Sequence, residues 1–226
     1  IARQVGRERL VVDLSCRRRG DGWFVAINRW QTVTDLAVDA ATLAAIAEQA
    51  ATLVHCSNLY NIPAQQALSL ALRDASGMDK VFFCNSGCEA NEAAIKMARY
   101  HTKRFGILGF LGSFHGRTLG ALSLTSSRAI QRRGFGPMQG GTFHAPYATC
   151  YRCPVGLTPD RCGAECLEFL EEQVLVHLIS PDDVAAILVE PIQGEGGYVV
   201  PAKAFHERLR ALTTKHGMLL MVDEVQ

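Results

Sequence analysis

The sequence has almost no excess of charge: 23 Lys and Arg stand against 22 Asp and Glu, a formal net charge of +1. That leaves no electrostatic footprint for nucleic acid or for an anionic membrane surface. Nor is there an apolar run of the roughly 20 residues that a membrane span needs. The opening stretch, IARQVGRERLVVDLSCRRRG, scatters its charges and lacks the apolar core of a secretory signal, so a cytoplasmic setting is expected. There is no internal repeat and no low-complexity segment. Two phosphate-binding signatures are missing as well: no lysine stands in the Walker arrangement, and no G-x-G-x-x-G occurs. A nucleoside triphosphate or dinucleotide site is therefore unsupported.

What remains is an ordinary globular composition, 48% hydrophobic and 20% charged over 226 residues. That length suits one large α/β domain or two small ones. Cysteine, by contrast, is abundant, with eight residues. Without an export signal, free thiols or a metal site are expected rather than disulfides. Cys16, Cys56, Cys84 and Cys88 lie apart, and the last two read as packing positions. Cys150, Cys153, Cys162 and Cys166 cluster in two short-spaced pairs. Such pairs can supply four thiolates to a tetrahedral zinc ion, or to an iron–sulfur cluster. The competing reading is four reduced cysteines packing a loop.

Along the chain, LVVDL and GWFVAIN read as short strands around a Gly-Asp-Gly turn. Residues 36–53 are Ala-rich, with Leu36, Leu43, Ile46 and Leu53 near helical spacing. A second helix is expected from Pro63 to about Ala75, stopped by Gly77. Then the pattern alternates. Strands are expected at 80–84, 106–111, 184–189 and 218–222, and helices at 89–104, 117–124, 161–178 and 202–216. The 89–104 helix should bury Ala90, Ala94, Met97 and Ala98, and 125–160 should be a long loop. All-apolar strands alternating with helices predict an α/β fold with a mostly parallel sheet buried on both faces.

Ligands of such sheets sit at the carboxyl ends of the strands. There the sequence reads Asn-Ser-Gly-Cys-Glu after Cys84, Gly-Ser-Phe-His-Gly after Leu111, Glu-Pro-Ile-Gln-Gly-Glu after Val189 and Asp-Glu-Val-Gln after Val222. Ser86, Gly87 and Cys88 open a helix, so they form either a phosphate cradle or a plain N-cap. Phe114 and His115 are either a stacking wall with its polar neighbour or a buried Phe beside a satisfied His. Asp223 ends an apolar strand and needs a cation, either a protonated pyridine nitrogen or an Arg or Lys neighbour. Glu190 raises the same question, and Glu195 lies in a glycine-rich loop.

The order VFFCNSGCEANEAAIKMAR, GSFHGRT, ILVEPIQGEGGY and LLMVDEVQ resembles the class III pyridoxal-phosphate aminotransferases. These include the acetylornithine, ornithine and 4-aminobutyrate enzymes. The resemblance runs from about His55 to Gln226. SGMDKVFFCNSG and SFHGRTLG are most similar to acetylornithine-type members, and CYRCPVGL to a 4-aminobutyrate-type subgroup. It implies the large domain of fold type I pyridoxal-phosphate transferases over 51–226, preceded by an N-terminal segment, 1–50. It also implies a homodimer acting on an amino acid and a 2-oxo acid, with neither nucleic acid nor membrane as partner. Ser86, Gly87 and Cys88 are implied to hold the cofactor phosphate, Phe114 and Val225 to flank the ring, and His115 to sit beside it. Asp223 is implied to pair with the ring nitrogen as the catalytic carboxylate, Gln226 to reach the phenolic oxygen, and Glu190 and Glu195 to line the substrate side. Two departures stand out. The family's Gly-His-x-His-Pro segment is replaced by TVTDLAVDAAT. The family's cofactor-bonding lysine falls several tens of residues after Asp-Glu-Val-Gln, and Lys80, Lys96, Lys103, Lys203 and Lys215 do not match it. The 226 residues alone are thus expected not to transaminate. An aminomutase or racemase of the same fold, or a non-catalytic relative binding metal through 150–166, are the alternatives.

Overall fold

The computed structural model describes residues 16–27, 32–37, 39–57, 59–158 and 162–225. They fall into two compact units, Ile1–Phe82 and Phe83–Gln226.

In the first unit, β1 (Cys16–Arg19), β2 (Gly22–Ile27) and β3 (Thr32–Ala37) pair antiparallel in that order. The expected Gly-Asp-Gly turn closes the first hairpin, with Arg19 opposite Gly22 and Gly20 at φ 60°. LVVDL lies outside the described residues. Strand β3 occupies the start of the stretch read as helical from Leu36. Its Thr-Val-Thr opening is β-branched and favours extended backbone. Helix α1 (Ala40–Thr52) begins only after Asp39, whose side chain accepts from the Thr42 amide at 2.9 Å. Helix α2 (Pro63–Ser76) has proline in its first turn and ends at Gly77, left-handed at φ 71°.

The second unit holds a four-stranded, all-parallel sheet in the order β5-β4-β6-β7. Its strands are β4 (Gly106–Phe110), β5 (Thr142–Ala145), β6 (Val184–Val189) and β7 (Leu219–Val222). Every residue of β4 and β6 is buried, as the all-apolar runs predicted. Alternation divides each strand between two cores. Leu108, Phe110, Ile187 and Val189 face one with Phe205 and Leu209 of α7 (Lys203–Lys215). Ile107, Ala186 and Leu188 face the other with Ile95 of α3 (Gly87–Thr102) and Leu124 of α4 (Leu119–Leu124). Helices therefore cover both faces of the sheet, and the strand ends stay free for a site.

Four expectations change. Lys80–Cys84 forms no strand, and Phe82 is exposed. An apolar pentapeptide becomes a strand only when a neighbour supplies its ladder, and among the described residues none does. Within the stretch read as loop, Thr142–Ala145 pairs parallel with β4. Its four residues, two of them polar-tipped, carried little periodic signal. The helix expected over 161–178 is α5 (Cys166–Phe169), a π-helical turn (Leu170–Val174) and α6 (Leu175–His177). On α3 the buried residues are Asn91, Ile95 and Ala98, while Met97 is exposed. No helix among the described residues is long and apolar enough to cross a membrane.

The zinc expectation is corrected. Among the described residues no three His, Cys, Asp or Glu side chains are grouped as a metal ion needs. Cys166 is buried, and Cys150, Cys153 and Cys162 are half-buried. Burial, aided by the other three thiols nearby, pushes the Cys166 thiol up to about 11. Packing of this kind favours the protonated, unreactive thiol. At pH 8 a thiol of that pKa is roughly one part in a thousand thiolate. Alkylation of the folded protein followed by peptide mass spectrometry should therefore label exposed Cys84 well before Cys166. Equal rates would contradict the packing role.

Candidate active site

The carboxyl ends of β4, β6 and β7 bring three segments together. The Asp223 amide donates to Val189 O at 2.8 Å, extending the β6–β7 ladder by one residue. This fixes Asp223 at the sheet's end with its side chain 6% exposed. Asp223 Oδ2 accepts from His115 Nδ1 at 2.9 Å and from Asn91 Nδ2 at 2.8 Å. Oδ1 accepts from the Val225 amide at 3.2 Å. Burial pushes this carboxyl up, but the hydrogen bonds from His115 and Asn91 outweigh it and hold the group below the ordinary aspartate range. It is therefore ionised at neutral pH, and a carboxylate only accepts, so His115 Nδ1 carries the proton. Among the described residues no Lys or Arg pairs with Asp223.

His115 is buried and held by its backbone: its amide donates to Thr125 Oγ1 at 2.9 Å. Thr125 Oγ1 in turn donates to the Gly116 and Ala121 carbonyls. Gly116 takes φ 134°, and a Cβ there would collide with Cys88 Sγ. Only glycine lets the His115 loop lie this close to the start of α3. His115 Nε2 is buried with no partner among the described residues.

Glu190 is buried at the end of β6. Its oxygens accept from the Phe114 amide at 3.1 Å and the Gly194 amide at 3.3 Å. Burial raises its carboxyl above the ordinary range, and the Phe114 hydrogen bond offsets part of that rise. The Glu190 side chain thereby ties the Phe114 loop to the Gln193–Gly197 loop. Tyr147 supports the same point, its hydroxyl donating to the Glu190 and Pro191 carbonyls at 2.9 and 3.2 Å. Phe114 and Glu195 are half-buried.

Ser86 is the N-cap of α3: its hydroxyl accepts from the Glu89 amide at 3.3 Å, and Glu89 accepts from the Asn85 amide at 2.6 Å. The arrangement is a variant of the capping box, with the return bond made to the residue before the cap. The amides of Gly87 and Cys88 meet no acceptor among the described residues. This 16-residue helix thus points two free donors and its positive dipole end outward, as an anion site requires. Val225 stands against this turn, and a Cβ on Gly87 would approach Val225 Cγ2 to 2.8 Å. Gln226 lies outside the described residues.

The sequence reading did not include Asn91, Thr125 or Tyr147. Asn91 had left a trace: it occupies the i position of the stripe completed by Ile95 and Ala98, where a polar residue is out of place.

The model of the family described as Aminotransferase class-III matches residues 37–226. The chain belongs to the class-III aminotransferases. Relatives in this family include acetylornithine aminotransferase 1 of Bordetella pertussis, 43% identical over 81% of this chain and 42% of that protein. An alanine/serine racemase of Pyrococcus horikoshii is 42% identical over 65% of this chain and 32% of the racemase. Among solved structures, an amine transaminase from an uncultivated Pseudomonas species superposes with a TM-score of 0.77 at 28% identity, covering 95% of this chain and 52% of that one. The chain thus spans less than half the length of these two curated relatives. The mixed α/β architecture with its parallel sheet is that of the pyridoxal-phosphate transaminases, and pyridoxal phosphate is the family's cofactor.

Proposed function

We propose that this family member transfers an amino group from an amino acid of acetylornithine, ornithine or 4-aminobutyrate type to a 2-oxo acid. It would do so with pyridoxal phosphate held between the start of α3 and the end of β7. Residues 51–226 would belong to the large cofactor-binding domain, with 1–50 as its N-terminal segment. The working unit proposed is a cytoplasmic homodimer, as the family resemblance implies.

The observation that carries the reading is Asp223: an ionised carboxylate, nearly buried, that no Lys or Arg among the described residues neutralises. Such a group calls for a cation, and a protonated pyridine nitrogen is one. Two further features support the fit, namely the free amides of Gly87 and Cys88 for a phosphate and the unpartnered His115 Nε2 beside the carboxylate. When bound, the cofactor supplies an electron sink for the substrate carbon that loses its proton. The residues do the rest. Gly87 and Cys88 would bind the phosphate, and Ser86 keeps their helix capped. Phe114 and Val225 would flank the ring, with Gln226 at its phenolic oxygen. Asp223 would keep a proton on the ring nitrogen. Glu195 would lie on the substrate side together with Glu190, whose carboxylate also fixes the Phe114 loop.

The test uses the protein encoded by the complete reading frame. It is incubated with each candidate donor and 2-oxoglutarate, and glutamate is followed by chromatography. Glutamate formation at the expense of one donor supports the reading; no turnover and no cofactor uptake would overturn it. The relative named as a racemase motivates a second reading, amino-acid racemisation. Chiral analysis separates the two: racemisation yields the opposite enantiomer without consuming the 2-oxo acid. The 226 residues alone are expected to give neither product. Lys103 lies over the Tyr100 ring, Lys203 pairs with Glu207 and Lys215 with Glu171.

A further inference from the structure

The side chain of Asn91 makes two hydrogen bonds, both by donation from Nδ2. One goes to Asp223 Oδ2 and the other to the His115 carbonyl, each at 2.8 Å. Both partners are acceptors, so the amide nitrogen must face them, and its two hydrogens are both used. Asn91 is 7% exposed and lies one helical turn in from Gly87. One amide therefore links the anion-binding helix, the His115 loop and the end of β7.

The division of labour at Asp223 is uneven. Oδ2 receives two donors, Asn91 and His115, which fill its two lone pairs. Among the described residues Oδ1 receives only the Val225 amide, which leaves one of its lone pairs without a donor from them. Were Asn91 absent, the carboxylate would be restrained on one side by His115 alone, and it could turn about its terminal bond.

We propose that Asn91 is a positioning residue for Asp223: by saturating Oδ2 and tying it to α3, it presents Oδ1 to the ring nitrogen of the cofactor whose phosphate the same helix binds. The inference rests on the assignment of Asp223 to that nitrogen. It assigns Asn91 a share in selecting the ring nitrogen, distinct from filling space in the core.

The experiment compares two probes on the cofactor-free, full-length protein. One is pyridoxal 5′-phosphate, and the other is its 1-deaza analogue, in which a C–H group replaces the ring nitrogen. Both keep the phosphate and the ring shape, so the ratio of their dissociation constants isolates the nitrogen contact. Asn91→Ala should shrink the preference for the natural cofactor by about tenfold, the worth of one hydrogen bond to a charged group, and leave analogue binding nearly unchanged. Asn91→Leu has nearly the same shape and donates nothing. It should shrink the preference as far as alanine does, which covers a failure of the alanine variant to fold. An equal loss for both probes would make Asn91 a packing residue only and overturn the proposal. Asp223→Ala is the control for the underlying reading. If it leaves the probe ratio unchanged, Asp223 does not face the nitrogen, and the assignment fails together with the role given to Asn91. If it abolishes the preference while Asn91→Ala does not alter it, the assignment stands and only the Asn91 proposal falls.

Discussion

Alanine in place of Asp223 is expected to lower turnover in the full-length protein by a hundredfold or more and to destabilise the fold as well. Breaking one side of a nearly buried ion pair typically loses about 3–5 kcal/mol, which is roughly two to four powers of ten in affinity or rate. The side chain also accepts from His115 and Asn91, and both donors are buried. Each donor left without an acceptor costs about 1–3 kcal/mol. The stability part has a definite pH dependence. The folded carboxyl sits below its ordinary value, so its contribution is present above pH of about 4 and fades as pH falls through the folded value. Urea titrations at pH 7 and at pH 3 should therefore show a large gap between wild type and Asp223→Ala at the first pH and a smaller one at the second. A constant gap would mean that the aspartate acts through packing rather than charge.

The second large effect is expected away from the chemistry, at Phe205. This residue of α7 is fully buried. Its ring meets Phe110 at 5.5 Å and Tyr147 at 5.2 Å, and those two meet each other at 5.8 Å, all edge to face. Such pairs contribute beyond the apolar area they bury. Phe205→Ala should cost about 3–5 kcal/mol, read as a fall in the urea midpoint with an unchanged slope. The loss should reach the site, because Tyr147 carries the carbonyls of Glu190 and Pro191. Tyr147→Phe keeps the ring cluster and removes only the hydroxyl, so its cost should be nearer 1 kcal/mol. Equal costs for the two variants would place the stability in the hydrogen bonds rather than in the rings.

Sequence pattern and tertiary structure divided the work along physical lines. Strands β4 and β6 were readable because a parallel strand covered on both faces must be apolar along its length, and the half-buried edge strand β7 keeps the same apolar run. Helix α2 was readable because Pro63 and Gly77 are local signals whose effect does not depend on what packs nearby. The site's outline followed from the same logic: small and polar residues cluster where buried strands end, and the family motifs gave them an order. Lys80–Cys84 shows the limit. Its apolarity is real, yet a strand is a relation between two segments, and composition cannot supply the second one.

At the site, the sequence by itself determined that His115, Glu190 and Asp223 follow the ends of apolar strands and that Ser86 opens a helix. What only the tertiary structure decided is how their polar atoms are shared. Asn91 and Asp223 are 132 positions apart, and a hydrogen bond over that separation leaves no periodic mark. Glu190 illustrates the same point, since its two oxygens are taken by the amides of Phe114 and Gly194. The four clustered cysteines make the point in reverse, for their spacing alone suggested a metal. In the fold Cys166 is buried, and no three ligands are grouped for a metal among the described residues. Hydrophobic pattern is local and periodic and can be read along the chain. Polar satisfaction depends on directed contacts between distant segments, and those exist only once the chain has folded.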